Sequence, residues 1–334
     1  MKVNFIIEGS GLLKYIGCST AAKQFVDYLI NKGIEIKINS KEIDFDIIHA
    51  HTFGPFALRQ LRKNKNAIKI ISAHSTPSIN RKNIITGECK FWNWIYKYIY
   101  NKFDYVFAVS DFSVKELRNI GIKKEIFVVE NGIDKKKFIY NEKNGKKFRK
   151  DHGIKNEELL LINIAQITPR KGIYDFIKVA QNNPDIKFLW VGGFPYKYAS
   201  SDYLKLKKIY RKNAGLDNLK FVGFVEDIIG AYSGSDVLFT PTYAETFGLT
   251  IIEAGSCNIP IIARKLEVFE ELFGNKISYG KNIEEFSDLI NKFKDEEFRK
   301  KRSKDAYSLS EKFDVKLISD KLYNIYEKIL VENN

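Results

Sequence analysis

Two glutamates eight positions apart, Glu245 and Glu253, flank a predicted strand-to-helix turn. The short apolar run 237–241 predicts a buried strand, and residues 247–257 predict a helix. Glu245 would then lie in the turn at the carboxyl end of a parallel strand, where open α/β sheets bind their ligands. Because a carboxylate only accepts hydrogen bonds, the pair suits the hydroxyl groups of a ribose and a hexose.

The predicted start of this helix also favours an anion. The backbone N–H groups of Phe247, Gly248 and Leu249 would lack acceptors within the helix, and with the helix dipole they would favour a diphosphate. Gly248 lets the backbone approach such a ligand closely. Glu253 would accept from the ribose diol and Glu245 from the hexose. The alternative is an ordinary helix whose glutamates only cap and solvate its first turns, and the spacing alone does not decide between the two.

Length and composition predict a globular protein of two domains. The 334 residues exceed the usual size of one core, and 44% are apolar and 29% charged. No apolar run approaches the ~20 residues that span a bilayer, and the N-terminus lacks the apolar core of a signal peptide, so we expect a cytoplasmic location. Cys18, Cys89 and Cys257 are too scattered for a disulfide framework or metal site, and we interpret them as buried apolar residues.

The net charge of +14 is concentrated in the first half of the chain. Residues 1–134 contain 20 Lys and Arg against 13 Asp and Glu, residues 135–150 contain 8 against 1, and residues 151–334 contain 27 of each. A field of one sign favours an anionic partner such as lipid headgroups or nucleic acid. A lysine-rich composition that only maintains solubility is the alternative.

An aromatic segment, residues 91–103, combines Trp, Tyr and Phe with Lys97 and Lys102. This composition suits a helix at a membrane interface. It suits equally a helix buried against the first sheet.

Strands and helices alternate along the whole chain, which predicts two doubly wound, Rossmann-like parallel-sheet domains of the α/β class. The predicted strands are Val3–Glu8, Ile34–Asn39, Asp46–His51, Ile68–His74, Tyr105–Ser110, Ile126–Asn131, Leu159–Gln166, Phe188–Gly193, Leu219–Phe224, Asp236–Pro241 and Ile259–Ala263. The predicted divisions are a first domain over 1–134, a basic linker over 135–157, a second domain over 158–314, and a C-terminal helix over 315–334 that packs back on the first domain.

Three motifs give the chain a family resemblance: Asn131-Gly-Ile-Asp134, Arg170-Lys-Gly172 and Glu245-x7-Glu253. With them the sequence resembles, over nearly its whole length, the retaining glycosyltransferases of family 4, which have the GT-B fold of two Rossmann-like domains facing a cleft. Within that family it looks most like the bacterial enzymes that add a second hexose to a glycosyl-diacylglycerol. The stretches that carry this narrower likeness are Pro169–Ile177, Lys187–Trp190, Cys257–Pro260 and Arg264.

The resemblance implies transfer of a hexose, glucose in the first place, from UDP-glucose to a glycolipid or saccharide acceptor at the inner face of the membrane. Because Arg170, Lys171 and the helix N-terminus at Gly248 would stabilise the leaving diphosphate, no metal need be invoked, and no cofactor is expected. Arg170 and Lys171 would contact the diphosphate, Glu245 the hexose and Glu253 the ribose. His74 would lie beside the transferred sugar, with His49 and His51 as weaker candidates. The implied substrate-binding residues are Gly11, Gly17, Phe224, Val225, Phe247, Gly248, Leu249 and Glu253.

The sequence departs from the family pattern in two loops. Many members have Gly-Arg after the first strand of the second domain, whereas this chain has Ala165-Gln166, so we expect Arg170 to supply the missing cation. The glycine-rich N-terminal loop is reduced to Gly9-Ser-Gly11 and a separate Gly17.

Two other classes of protein stay open at this point. A sugar-nucleotide 2-epimerase has the same two-domain plan but consumes no acceptor. A basic nucleic-acid-binding protein would explain the charge, although no recognisable binding module accompanies it and no nucleic acid is expected as a partner. The single Asp-x-Asp, Asp44–Asp46, leads directly into a predicted strand, which argues against a metal-diphosphate bridge.

Overall fold

The alternation of apolar runs and amphipathic segments produces two parallel sheets in a computed structural model, which describes residues 1–8, 17–80, 91–194, 198 and 201–333. The chain divides into two compact units. Residues 1–77, 89–134 and 313–334 form the first, and residues 135–312 form most of the second.

The first sheet has six parallel strands in the order β2-β1-β3-β4-β5-β6. In chain order, the strands and the helices between them are β1 (Lys2–Ile6), α1 (Gly17–Asn31), β2 (Glu35–Ile38), β3 (Ile47–Ala50), α2 (Pro55–Lys63), β4 (Ile68–Ala73), α3 (Pro77–Asn80), α4 (Phe91–Tyr100), β5 (Tyr105–Ala108), α5 (Asp111–Asn119) and β6 (Glu125–Val128). Most of α3 groups with the second unit. Because side chains alternate along each strand, the sheet buries apolar residues on both faces.

The second sheet also has six parallel strands, in the order β12-β11-β10-β7-β8-β9. Its elements are α6 (Glu142–His152), β7 (Leu160–Ile164), α7 (Ile173–Asn182), β8 (Lys187–Val191), α8 (Tyr203–Arg211), β9 (Leu219–Gly223), α9 (Ile228–Ser233), β10 (Val237–Thr240), α10 (Leu249–Ser256), β11 (Ile261–Arg264), α11 (Glu267–Phe273), β12 (Ser278–Gly280), α12 (Ile283–Phe293) and α13 (Glu296–Glu311). The α/β class and the two doubly wound sheets are therefore confirmed.

A last helix, α14 (Val315–Asn333), packs on the first sheet through Leu322 and Tyr326. The Asn131–Asp134 motif holds its start, since Ile133 N–H donates to Phe313 O (2.7 Å) and Val315 N–H donates to Ile133 O (2.9 Å). A side chain at Gly132 would meet the Val315 backbone, with a Cβ only 2.7 Å from Val315 Cα. The glycine of the motif thus permits a close backbone crossing.

Several details differ from the sequence-based expectations. The predicted helix over 247–257 begins only at Leu249 and ends at Ser256, so Phe247 and Gly248 precede its first turn. Strand β12 was not predicted. The stretch 135–157, expected to be a linker, contains α6, whose Gly145 lies against the backbone of Ser233 in α9.

Among the described residues, no helix combines the length and apolar character that crossing a bilayer requires. Cys257 is buried and free. The Cys18 side chain and Cys89 lie outside the described part of the chain.

Candidate active site

The candidate site lies at the carboxyl edge of the second sheet, where β7 and β10 are neighbours. From this pair the chain proceeds outwards in both directions, through β8 and β9 on one side and β11 and β12 on the other. The loops after β7 and β10 therefore diverge from adjacent strand ends, which is the point where doubly wound sheets bind ligands.

Two cations and one carboxylate from these loops form a buried triad. Lys171 Nζ donates to Glu245 Oε1, and Arg170 Nη1 lies 3.5 Å from the same oxygen. The Arg170 guanidinium also donates to Ala244 O (2.7 Å). The three side chains are only 7–19% exposed. With one positive charge in excess in a poorly solvated place, the triad is suited to an anionic ligand.

The charges within the triad shift the pKa values of its members. Burial alone would raise the pKa of Glu245, but Lys171 and Arg170 outweigh it and hold the pKa below its usual range. Burial lowers the pKa of Lys171, and the neighbouring Arg170 charge adds to this effect while Glu245 opposes it. The lowered pKa of Glu245 follows from one carboxylate being shared by two cations, and the lowered pKa of Lys171 follows mainly from burial.

Buried polar atoms without partners concentrate next to the triad. In the described part of the chain ten such side-chain atoms occur, and five of them lie between positions 163 and 170. They belong to Asn163, Gln166, Thr168 and Arg170, on β7 and in the loop that follows it. Since buried polar groups are nearly always hydrogen-bonded in native proteins, these atoms require water or a bound ligand as their partners.

Backbone contacts fix the spacing of the two loops. Arg170 O accepts from Tyr243 N–H (2.8 Å) and from the Thr242 hydroxyl (3.2 Å). Gly172 has φ +77°, and a Cβ there would overlap Pro241 O. Only glycine meets both conditions, so this residue sets the approach of Lys171 to Glu245.

A second set of charges braces the β10 loop from the other side. Arg264, at the end of β11, donates to Pro241 O (3.1 Å), pairs with Asp175 of α7 and stacks on the Tyr243 ring at 4.1 Å. The Tyr243 hydroxyl donates to the same Asp175 carboxylate (2.8 Å). These contacts hold the loop that carries Glu245.

Glu253 lies just over one turn into α10 and is 8% exposed. Its Oε2 accepts from the Tyr232 hydroxyl of α9 (2.6 Å). Burial raises the pKa of Glu253 to about 6, although the Tyr232 hydrogen bond acts in the opposite direction. The first bond of the helix runs from Ile251 N–H to Gly248 O (3.0 Å), which leaves the N–H groups before it without acceptors inside the helix.

The other predicted donor-site residues have different environments. The Phe247 side chain is buried against Phe273, so its ring cannot contact a ligand. Gly248 has φ +100° and precedes Leu249, the first residue of α10. Phe224 and Val225 follow β9, and the Phe224 ring is 47% exposed and lies over Gly193.

In the first unit, three histidines cluster at and beyond the ends of β3 and β4. His51 Nδ1 lies 3.2 Å from His74 Nε2, and the His49 and His51 ring centroids are 4.1 Å apart. His49 also contacts the Tyr326 hydroxyl of α14 and the Ser72 hydroxyl (2.8 Å). The three rings form a connected cluster in which His49 and His51 are buried and His74 is half-buried.

All three rings are neutral at physiological pH. Burial lowers the pKa of His74 to about 4 and that of His49 to about 3, and it holds the pKa of His51 well below its usual value. His74 can therefore act by hydrogen bonding but not as a standing positive charge.

The two glycines expected on the acceptor side are less informative. Gly11 lies outside the described residues. Gly17 is the first residue of α1, and its position alone does not assign it a contact with the acceptor.

Sequence reasoning missed several residues of this region. Tyr232 precedes Glu253 by 21 positions, and no local motif connects them. Asn163 and Thr168 resemble ordinary strand and loop residues. The pairing of His49 with His51 had a signal, because residues two apart in a strand share a face.

Comparison with known protein families gives two matches that adjoin along the chain. The family described as Glycosyltransferase Family 4 matches residues 23–137. The family described as Glycosyl transferases group 1 matches residues 144–309, which include the whole triad and Glu253.

Two relatives with assigned activities make or extend glycolipids. The processive diacylglycerol alpha-glucosyltransferase of Acholeplasma laidlawii is 26% identical, and the alignment covers 99% of both chains. The alpha-galactosylglucosyldiacylglycerol synthase of Streptococcus pneumoniae is 28% identical over 74% of this chain and 68% of its own.

Solved structures share the fold along the entire chain. HepE of Anabaena, in complex with UDP and glucose, superposes with a TM-score of 0.79 at 19% identity, over 98% of this chain and 99% of its own. The sucrose-phosphate synthase of Thermosynechococcus elongatus gives a TM-score of 0.82 at 15% identity, over 99% of each chain.

Proposed function

The chain belongs to the family 4 and group 1 glycosyltransferases of the GT-B fold, and from this premise we propose that it transfers glucose from UDP-glucose to a membrane glycolipid with retention of configuration. The buried triad of Arg170, Lys171 and Glu245 at the strand-order switch of the second sheet is the observation that carries the proposal. The glycolipid-synthesising relatives support the acceptor class. The name of the Acholeplasma enzyme implies an α-glucoside product. Because glucose in UDP-glucose is also α-linked, such a product would mean that the configuration is retained.

Charge stabilisation is the main catalytic contribution in this proposal. As the bond from the anomeric carbon to the diphosphate breaks, negative charge grows on the leaving oxygen and positive charge grows on the sugar ring. Arg170, Lys171 and the N-terminus of α10 stabilise the leaving diphosphate, and one such donor contributes about 3 kcal/mol in a poorly solvated site. With two protein cations at this position, the proposed mechanism has no step that requires a metal ion.

Glu245 exchanges partners during donor binding. A diphosphate that takes the two cations displaces the carboxylate, which then accepts from the hexose hydroxyls and faces the positive charge of the ring. Glu253 accepts from the ribose hydroxyls. His74, which is neutral because its pKa is about 4, serves in this proposal as a hydrogen-bond partner of the transferred sugar.

The exchange of partners predicts opposite effects for Glu245→Gln. The variant should bind UDP several-fold more tightly, because no carboxylate competes for Arg170 and Lys171. It should transfer glucose more slowly, because the carboxylate facing the sugar ring is lost. Calorimetric titration with UDP and a transfer assay measure the two effects. Weaker UDP binding by the variant would contradict the proposed competition.

The acceptor side involves the membrane. The positive surplus in residues 1–134 favours docking on the anionic inner face of the cell membrane, where a glycolipid acceptor lies. The membrane location follows from the proposed acceptor, because a glycolipid stays in the bilayer and the enzyme must bind there to reach it.

Donor binding is tested by thermal unfolding with UDP, GDP and ADP in buffer containing chelator. UDP at ~100 times its dissociation constant should stabilise the protein by about 2.7 kcal/mol, and the other nucleotides should do less. If GDP stabilises more, the choice of donor is wrong while the fold assignment stands.

Transfer from UDP-glucose should persist in excess chelator. Loss of transfer in chelator, with recovery when magnesium or manganese is added, would refute metal independence.

Product analysis separates transfer from epimerisation. A glycosyltransferase releases UDP and forms a glycosylated lipid only when the acceptor is added. Conversion of the sugar nucleotide to its 2-epimer without an acceptor would instead identify the epimerase.

A further inference from the structure

One face of α4 is an exposed aromatic ladder formed by Phe91, Trp94 and Tyr98. These side chains are 57%, 59% and 54% exposed. Spacings of three and four residues place them in a row along the helix. Neighbouring rings stack, with centroids 5.8 Å apart for Phe91 and Trp94 and 5.5 Å for Trp94 and Tyr98. Lys102 extends the row, with Nζ 4.1 Å from the Tyr98 ring centroid.

The opposite face of α4 is anchored to the first unit. Tyr100 is buried, and its hydroxyl donates to Ser75 O (2.8 Å). Tyr96 OH and Ser75 Oγ are 2.7 Å apart, and Phe103 is fully buried just beyond the helix. The aromatic ladder is therefore not needed to hold the helix in place, which argues that these rings have an external partner.

The charged residues of α4 and of the described stretch before it are of one sign along the sequence. Among the described residues from 55 to 102 there are seven Lys and Arg and no Asp or Glu. Arg62, Lys97 and Lys102 are exposed. Lys102, and to a smaller extent Arg62, lower the pKa of the Tyr98 hydroxyl, so both cations lie near the ladder. An exposed apolar row bordered by cations complements a surface that is apolar beneath and negatively charged above.

We propose that the aromatic ladder of α4 inserts into the headgroup region of an anionic lipid bilayer, with Arg62, Lys97 and Lys102 contacting lipid phosphates. The proposal rests on the proposed function, because it supplies the contact through which that enzyme reaches a lipid acceptor. It resolves the two interpretations of residues 91–103: Tyr96, Tyr100 and Phe103 pack inward, and Phe91, Trp94 and Tyr98 face the bilayer.

Vesicle binding tests the aromatic ladder directly. The full chain should co-sediment with phosphatidylglycerol vesicles, bind phosphatidylcholine vesicles weakly, and dissociate as salt rises. Trp94 fluorescence should shift to the blue and be quenched by brominated acyl chains, and Trp94→Phe should lose most of this signal. Lys97→Glu with Lys102→Glu should weaken binding by at least about fivefold per charge.

Matched controls use the second unit. Phe91→Ser/Trp94→Ser/Tyr98→Ser should abolish binding, whereas Tyr140→Ser/Leu204→Ser, which also removes exposed apolar groups, should retain it. Lys178→Glu/Lys292→Glu is the corresponding charge control. Three results would overturn the proposal. They are that the ladder variant binds vesicles as the wild type does, that the wild type binds vesicles regardless of anionic lipid, or that the ladder substitutions change only the oligomeric state.

Donor binding separates this proposal from the proposed function. The ladder variant should keep the UDP-induced stabilisation and should transfer glucose to a detergent-dispersed acceptor. If the ladder variant loses vesicle binding but binds UDP normally, the aromatic ladder serves membrane docking and not donor binding. If the wild-type chain shows no UDP stabilisation yet binds vesicles through the aromatic ladder, the proposed function fails and the docking surface stands.

Discussion

Replacing Lys171 with methionine is expected to lower kcat for glucose transfer by about 10²–10³-fold. The side chain is 19% exposed and pairs with Glu245, so its charge acts in a poorly solvated place. Because charge on the leaving diphosphate develops in the transition state, kcat should fall much more than the affinity for intact UDP-glucose. Steady-state kinetics together with UDP-glucose titration measure both quantities.

Lys178→Met is the matched control for this substitution. Lys178 lies on α7, seven positions further along the chain, and is exposed. This variant should keep normal kinetics, and both variants should unfold near the wild-type temperature, because Arg170 still accompanies Glu245. A change of less than about threefold in kcat for Lys171→Met would mean that the lysine does not stabilise the leaving group.

The sequence was sufficient to identify the elements that hold these residues. Apolar runs predicted β7 and β10, and because parallel strands share a carboxyl edge, the loops carrying Lys171 and Glu245 were expected at the same end of one sheet. The predicted strands extend beyond the observed ones at this edge, since apolar residues continue into the loops. Strand β12 escaped prediction because Ser278–Gly280 is short, lies at the sheet edge and contains no apolar run.

The sequence was not sufficient to show which side chains meet. It assigned Arg170 and Lys171 to a diphosphate and Glu245 to a hexose, whereas the structure joins all three in one triad. That contact depends on the order of strands in the sheet, which no local pattern encodes. The contact of Tyr232 with Glu253 likewise depends on how α9 packs beside α10.

The role proposed for Glu253 conflicts with stability. Its pKa is raised from 4.5 to about 6 because the carboxyl group is buried. Its contribution to stability is therefore fully present below about pH 4.5 and is lost as pH rises through about 6. At pH 7.5 the ionised group costs roughly 2 kcal/mol relative to a group with an unshifted pKa. A buried carboxylate retained at that cost is expected where a ligand requires a charged acceptor.

Glu253→Gln should therefore raise the melting temperature at pH 7.5 and have little effect on it at pH 4.5. The amide keeps one oxygen for the Tyr232 hydroxyl but loses the charged acceptor for the ribose. Affinity for UDP-glucose at pH 7.5 should fall about tenfold to a hundredfold. Thermal unfolding at the two pH values and calorimetric titration measure these opposite effects.

The pH dependence of donor binding distinguishes a ribose-binding Glu253 from a structural one. UDP-glucose is the suitable probe, because both of its phosphates are esterified and neither titrates between pH 5 and 8. Its affinity for the wild type should fall as pH drops through about 6, where Glu253 takes up a proton, and its affinity for Glu253→Gln should stay nearly constant. Parallel pH profiles for the two proteins would place Glu253 outside the donor site, whatever the variant does to stability.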